Sequence, residues 1–197
     1  MKKKCQECGS DKPIEEFTTK SKENKICNVC KKKKGKLDSI KGTGNELLVL
    51  GSLIYNFPNT MMSSSAQTAH DLIIHIDSTV NIRVQVKTVN PSGRIPLKGG
   101  GRSGADAQYN VEGTENKTYL YSTKNCDLII AVKYLSIGNF ELYFIPGIVL
   151  DKIKQTSISS NKIKFTKNDL SIINKCLDKK YADKYLEVMN HKIWQKN

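Results

Sequence analysis

The stretch IRVQVKT, residues 82–88, alternates apolar and polar side chains. Ile82, Val84 and Val86 fall on one side of a two-residue period, and Arg83, Gln85 and Lys87 on the other. Period two is the mark of a β-strand with one face against a core. The other face then carries an amide and an ammonium side by side. Either that face is an ordinary wet one, or Gln85 and Lys87 belong to a site. The residues brought beside them decide.

Just upstream, HDLIIHID (70–77) reads as a second strand, joined through Ser78–Val80 in an antiparallel hairpin. With the turn centred on Thr79, Asp71 lies opposite Lys87, and Asp71, Gln85 and Lys87 share one face. Further upstream, GNELLVLGSLIYNF (44–57) reads as a helix, with Leu47, Leu50, Leu53 and Ile54 at helical spacing. Asn45 sits near its start, where caps belong, with a start several residues earlier left open; Glu46 stands in the first turns, and Pro58 ends the element. Downstream, CDLIIAVKYL (126–135) and NFELYFIP (139–146) read as strands joined at Ile137–Gly138. A helix is expected over 167–179, with Thr166 and Asp169 as a capping box. A last helical stretch covers about Ala182–Trp194. Helix, strands, then helices predicts an α/β fold with a mixed central β-sheet flanked by helices.

In that fold Glu46, Asp71, Gln85 and Lys87 come to one end of the sheet. Asp71, Gln85 and the backbone carbonyl of Val86 offer oxygens to a hard divalent cation such as Mg²⁺. Glu46 reaches the same ion from the helix, directly or through water. Lys87 is placed to orient a water and to stabilise charge developing on a phosphoryl group. His70 adjoins this set and His75 lies further along; neither is assigned a catalytic role.

These residues resemble the PD-(D/E)xK nuclease superfamily: an acidic residue on a helix, Asp at a strand start, and Glu, Gln or Asp two residues before Lys on the next strand. Within it, the chain is most similar to group I intron homing endonucleases of this type. GTGNELLVL, HDLIIHID, VQVKT, CDLIIAV and YFIP carry the resemblance, between Gly42 and Pro146. It implies a restriction-endonuclease-like core and Mg²⁺-dependent hydrolysis of duplex DNA, of homing or Type II restriction kind. Glu46, Asp71, Gln85 and Lys87 are the implied catalytic set. His70 stands where the superfamily's name has Pro. Two alternatives remain open. A Holliday-junction resolvase shares the superfamily site, commonly with Glu in place of the Gln. A non-catalytic zinc-dependent DNA-binding protein would need none of the four residues.

The amino terminus carries a separate signal. Cys5 and Cys8 form one C-x-x-C pair, and Cys27 and Cys30 another, with 18 residues between them. That spacing predicts a tetrahedral four-cysteine Zn²⁺ site of structural kind. Residues 5–30 hold too few apolar side chains to fold alone, so the metal must supply most of their stability. Gly9 follows the first pair, where a turn often needs positive φ. Cys126 and Cys176 stand apart and are expected to be buried thiols. Lys31, Lys32, Lys33 and Lys34 follow the second pair and read equally as phosphate contacts or linker. The expected division is 1–35, a zinc-finger module with basic linker, and 36–197, the endonuclease domain.

The formal net charge is +13, from 32 Lys and Arg against 19 Asp and Glu. Such a balance points to a polyanionic partner, double-stranded DNA before others. Asn90–Asn110 is expected to be a flexible basic segment contacting DNA through Arg94, Lys98 and Arg102, since Pro91–Gly104 holds seven Gly and Pro residues. No signal peptide or membrane-length apolar run is read, so an intracellular protein is expected. One hydrolytic site per chain against two DNA strands predicts at least a homodimer. The carboxy-terminal residues Leu186, Met189, Ile193 and Trp194 serve either core packing or that interface.

Overall fold

The structure, a computed structural model, describes residues 1–19, 22–63, 70–100 and 118–191. Two compact units divide the chain, Met1–Thr43 and the described residues from Gly44 onward.

The second unit is built on a five-stranded mixed sheet. We number its strands β1 (Thr60–Met62), β2 (Leu72–His75), β3 (Asn81–Thr88), β4 (Leu128–Ser136) and β5 (Asn139–Pro146). Their spatial order is β5-β4-β3-β2-β1, and β3 and β4 are the parallel pair. The expected mixed α/β core is therefore present. Leu72, Ile74, Ile82, Val84, Val86, Leu128, Ile130 and Val132 face one layer, where they pack on Val49 and Leu53 of helix α1 (Asn28–Ile54). Ile129, Ala131, Tyr143 and Ile145 face the other. That layer includes Val149 and Leu150 of α2 (Gly147–Ile153) and Ala182, Tyr185 and Met189 of α3 (Lys179–His191). β4 is buried on both faces from Leu128 to Val132, which explains its unbroken apolar run.

Several expectations give way. The helix read over 44–57 extends back to Asn28, through Lys31–Lys34, whose two readings were phosphate contact and linker. Asn45 is no cap: it is buried inside α1, and its Nδ2 donates to Thr88 Oγ1 at 2.7 Å. In place of a helix over 167–179 there are 3-10 turns at Ser160–Thr166 and Leu170–Lys175. The Thr166 hydroxyl accepts from Phe144 N (3.2 Å), and Asn168 Oδ1 accepts from Leu142 N (2.8 Å). These side chains satisfy the outer edge of β5, and Asn168 at φ 56° breaks helical continuity. The last helix begins earlier than expected, at Lys179; Ile193 and Trp194 lie outside the described residues. α2 was not foreseen.

Of the basic segment after β3, residues 90–100 are described. Arg94–Pro96 pairs with Ser157–Ser159, Lys98–Gly99 pairs with Tyr119–Leu120, and Ile95 and Leu97 are buried. Arg102 and the rest of the segment to Asn110 lie outside the described residues. Cys126 and Cys176 are fully buried, as expected, and burial pushes both thiols up to about 12.

In the first unit, Lys2–Lys4 pairs with Asp11–Pro13 and Thr18–Thr19 with Lys22–Glu23. Its buried side chains are Cys5, Phe17 and Cys27. Gly9 has φ +69°, as its position after the first cysteine pair suggested.

Candidate active site and cysteine cluster

The β2–β3 turn sets the site's register. Asp77 Oδ1 accepts from the backbone N–H of Thr79 (2.7 Å) and Val80 (2.8 Å), and Ile76 N donates to Val80 O. This side-chain-closed turn centres the hairpin on residue 78, so Leu72 pairs with Val84 and Ile74 with Ile82. Asp71 therefore stands opposite Gln85, not Lys87 as a turn centred on Thr79 would give. Moving the centre by one residue moves each partner by two, so the face is unchanged.

Asp71 N donates to Val84 O at 2.8 Å, extending the ladder by one residue. Its carboxylate turns onto β3: Oδ2 accepts from Val86 N at 2.7 Å and from the Gln85 amide nitrogen. Gln85 Nε2 also donates to the Val86 carbonyl at 3.1 Å. One buried amide thus stands between a carboxylate and a carbonyl oxygen. Those two oxygens and the amide's own oxygen, after a half-turn of its last bond, form the donor set a hard cation takes. These three residues fit a divalent metal.

Glu46, on α1, is half-buried. Burial raises its carboxyl above the ordinary range, the charge of Asp71 raises it further, and Lys87 draws it back. Burial likewise raises Asp71, while the Val86 amide, Lys87, His70 and the Gln85 amide oppose the rise. Glu46, Asp71 and Lys87 are thus close enough to feel one another's charge. Lys87 Nζ donates to Tyr121 Oη at 2.8 Å and lies 4.5 Å from that ring's centroid. Tyr121 carried no signal in the sequence, because it reaches the site only at the end of the long β3–β4 crossover. His75 Nδ1 pairs with Asn81 Oδ1, on the hairpin.

The remaining predicted contacts are surface residues. Lys31, Lys32, Lys33 and Lys34 are exposed on α1. Arg94 is exposed and its guanidinium donates to Ser157 Oγ at 2.7 and 3.0 Å. Lys98 is exposed.

In the first unit the four sulfurs of Cys5, Cys8, Cys27 and Cys30 lie within 4.8 Å of one another. Cys5 Sγ accepts from Cys27 N at 3.3 Å. Backbone N–H groups of Cys27 and Cys8 hold the Cys5 thiol down to about 6, whereas the adjacent Cys27 sulfur pushes Cys30 up to about 12. Four thiolates this close cannot all ionise without a cation among them. The cluster has the donor type and grouping of a Zn²⁺ site.

No protein-family model matches the chain, and no curated protein matches it. Among solved structures the chain is similar to a bacterial homing endonuclease, I-Ssp6803I, at 15% identity and a TM-score of 0.42, over 61% of this chain and 76% of that one. Among the described residues, no helix is long and apolar enough to cross a membrane.

Proposed function

We propose that the chain is a sequence-specific endonuclease that hydrolyses phosphodiester bonds in duplex DNA with a divalent metal. The observation that supports this reading is the gathering of the Asp71 carboxylate, the Val86 carbonyl and the Gln85 amide, with Lys87 next on the same strand face. Asp71, Gln85 and Val86 would hold Mg²⁺, with Glu46 joining directly or through water. The ion would supply Lewis-acid charge beside the scissile phosphate. The Lys87 ammonium presents N–H donors where an attacking water and the phosphoryl oxygens meet, and offsets the charge that builds there.

The excess of Lys and Arg suits the backbone of DNA, and Lys31–Lys34, Arg94, Lys98 and Arg102 are the proposed contacts. Cys5, Cys8, Cys27 and Cys30 would hold a structural Zn²⁺. A homodimer would set two sites across the two strands, and the cell interior, where thiols stay reduced, suits the cysteine set.

The test is incubation of the full chain with Mg²⁺ and a mixed duplex library, followed by sequencing of cut ends. Discrete ends at one motif support the proposal. Cutting of branched DNA alone indicates a junction resolvase, and no cutting a binding protein. On the recovered site, Asp71→Asn removes Mg²⁺ binding and cleavage together, whereas Lys87→Ala keeps the metal and loses cleavage by at least about a hundredfold. Both keep DNA affinity, which rests on many dispersed charges. Wild-type cutting by both variants would make these residues an ordinary strand face.

A further inference from the structure

A lysine on a strand face ordinarily swings through solvent on four rotatable bonds. Lys87 is held through the hydrogen bond from its ammonium to Tyr121 Oη at 2.8 Å. Tyr121 is buried, and desolvation keeps its phenol protonated far above the ordinary range. Its oxygen is therefore a neutral acceptor for the ammonium. Another buried tyrosine, Tyr185, spends its hydroxyl on a backbone carbonyl, Phe144 O, at 2.9 Å. Tyr121 gives its oxygen to a side chain of the candidate site instead.

The surroundings of Tyr121 fix its ring. Its N–H donates to Leu97 O at 3.0 Å. Tyr119 packs edge-on against it, centroids 5.4 Å apart at 79°. Tyr119 in turn sits over Gly99, where a Cβ would come 2.5 Å from its ring carbon Cζ and displace the ring. Two residues beyond, the N–H and hydroxyl of Thr123 donate to Asp151 of α2 at 3.0 and 2.6 Å. Arg83 Nη2 donates to the Thr123 carbonyl at 2.6 Å, while the same guanidinium pairs with Asp127. The loop carrying Tyr121 is thus tied to β3 and to α2, and the phenol cannot follow the lysine.

The geometry points to Tyr121 as the positioning residue of Lys87: it fixes where the ammonium stands relative to Asp71 and Gln85. This rests on the reading of Lys87 as the catalytic lysine. Tyr121→Phe keeps the ring and removes the oxygen. On a supercoiled plasmid carrying the site recovered from the library, its kcat falls about tenfold to a hundredfold, the range expected of a small misplacement. KM, equilibrium DNA affinity and melting temperature stay at wild-type values. Wild-type kcat for Tyr121→Phe, with Lys87→Ala inactive, overturns the role of Tyr121 and leaves that of Lys87 standing. Wild-type kcat for Lys87→Ala overturns both. A lowered melting temperature together with a raised KM shows a packing residue and overturns the proposal.

Discussion

Gln85 is 6% exposed, and its neutral amide donates both to the Asp71 carboxylate, which also accepts from Val86 N, and to the Val86 carbonyl. A carboxylate there would face Asp71 with no N–H to offer. Gln85→Glu therefore destabilises the metal-free protein, by about 1–3 kcal/mol for acceptors left unsatisfied in the interior. Added Mg²⁺ recovers the loss, because three anionic groups bind a dication more tightly than two. Thermal unfolding with and without Mg²⁺ reads both effects. A variant that melts like wild type in metal-free buffer would show that the amide does not hold these oxygens. Cleavage does not improve, since the site is shaped around the amide.

The elements of this molecule were legible in proportion to how much of each is buried. Strand β3 showed its period because Ile82, Val84 and Val86 are buried while Arg83 and Lys87 are not. That parity alone put Asp71, Gln85 and Lys87 on one face. Register was misjudged because a single side chain, Asp77, closes the turn one residue earlier than the apolar pattern suggests. α1 was read short because residues 31–41 are exposed all round and so have no apolar stripe. The 3-10 turns pass for a helix because Thr166 and Asp169 look like a capping box; Asp169 does accept from Ser171 N at 3.1 Å, but Thr166 serves β5 across space. Tyr121 was invisible as a site residue for the same reason, its partner being 34 positions away. Two glycines test the elements in opposite directions. Gly35 lies within α1 with open space where a Cβ would go, so Gly35→Ala raises helicity and stabilises by up to about 1 kcal/mol. Gly147 joins β5 to α2, and a Cβ there would stand 2.5 Å from the Cys126 carbonyl. Gly147→Ala costs about 1–3 kcal/mol through displaced backbone. Urea unfolding of each variant against wild type decides; a midpoint at or below wild type for Gly35→Ala, or at or above it for Gly147→Ala, would contradict the respective argument.

At the scale of the whole chain, the two units differ in what holds them. The second has an apolar layer on each face of its sheet. Among the described residues, the first buries Phe17 and two cysteines, with Ile26 and Cys30 packed beside them. So small a core does not offset the chain entropy of more than forty residues. Metal bound by the four sulfurs is the term that can, and its effect reaches past them. α1 starts among the four cysteines, with Lys31 N donating to Cys27 O at 3.0 Å in its first turn. Residues 31–41 are all exposed, and a short helical stretch without buried side chains is marginal in water. Removing Zn²⁺ with a chelator that spares Mg²⁺ therefore unfolds residues 1–30 and frays α1 as far as about residue 43. The core from Gly44 onward keeps its cooperative melting transition. Backbone amide exchange on the full chain, with and without chelator, maps the boundary residue by residue. Protection that persists in residues 1–30 would show that the module does not depend on metal; protection lost throughout β3 and β4 would show that the two units do not fold independently. Cys5→Ser with Cys8→Ser reproduces the chelated pattern without any chelator, which separates loss of the ion from side effects of the reagent.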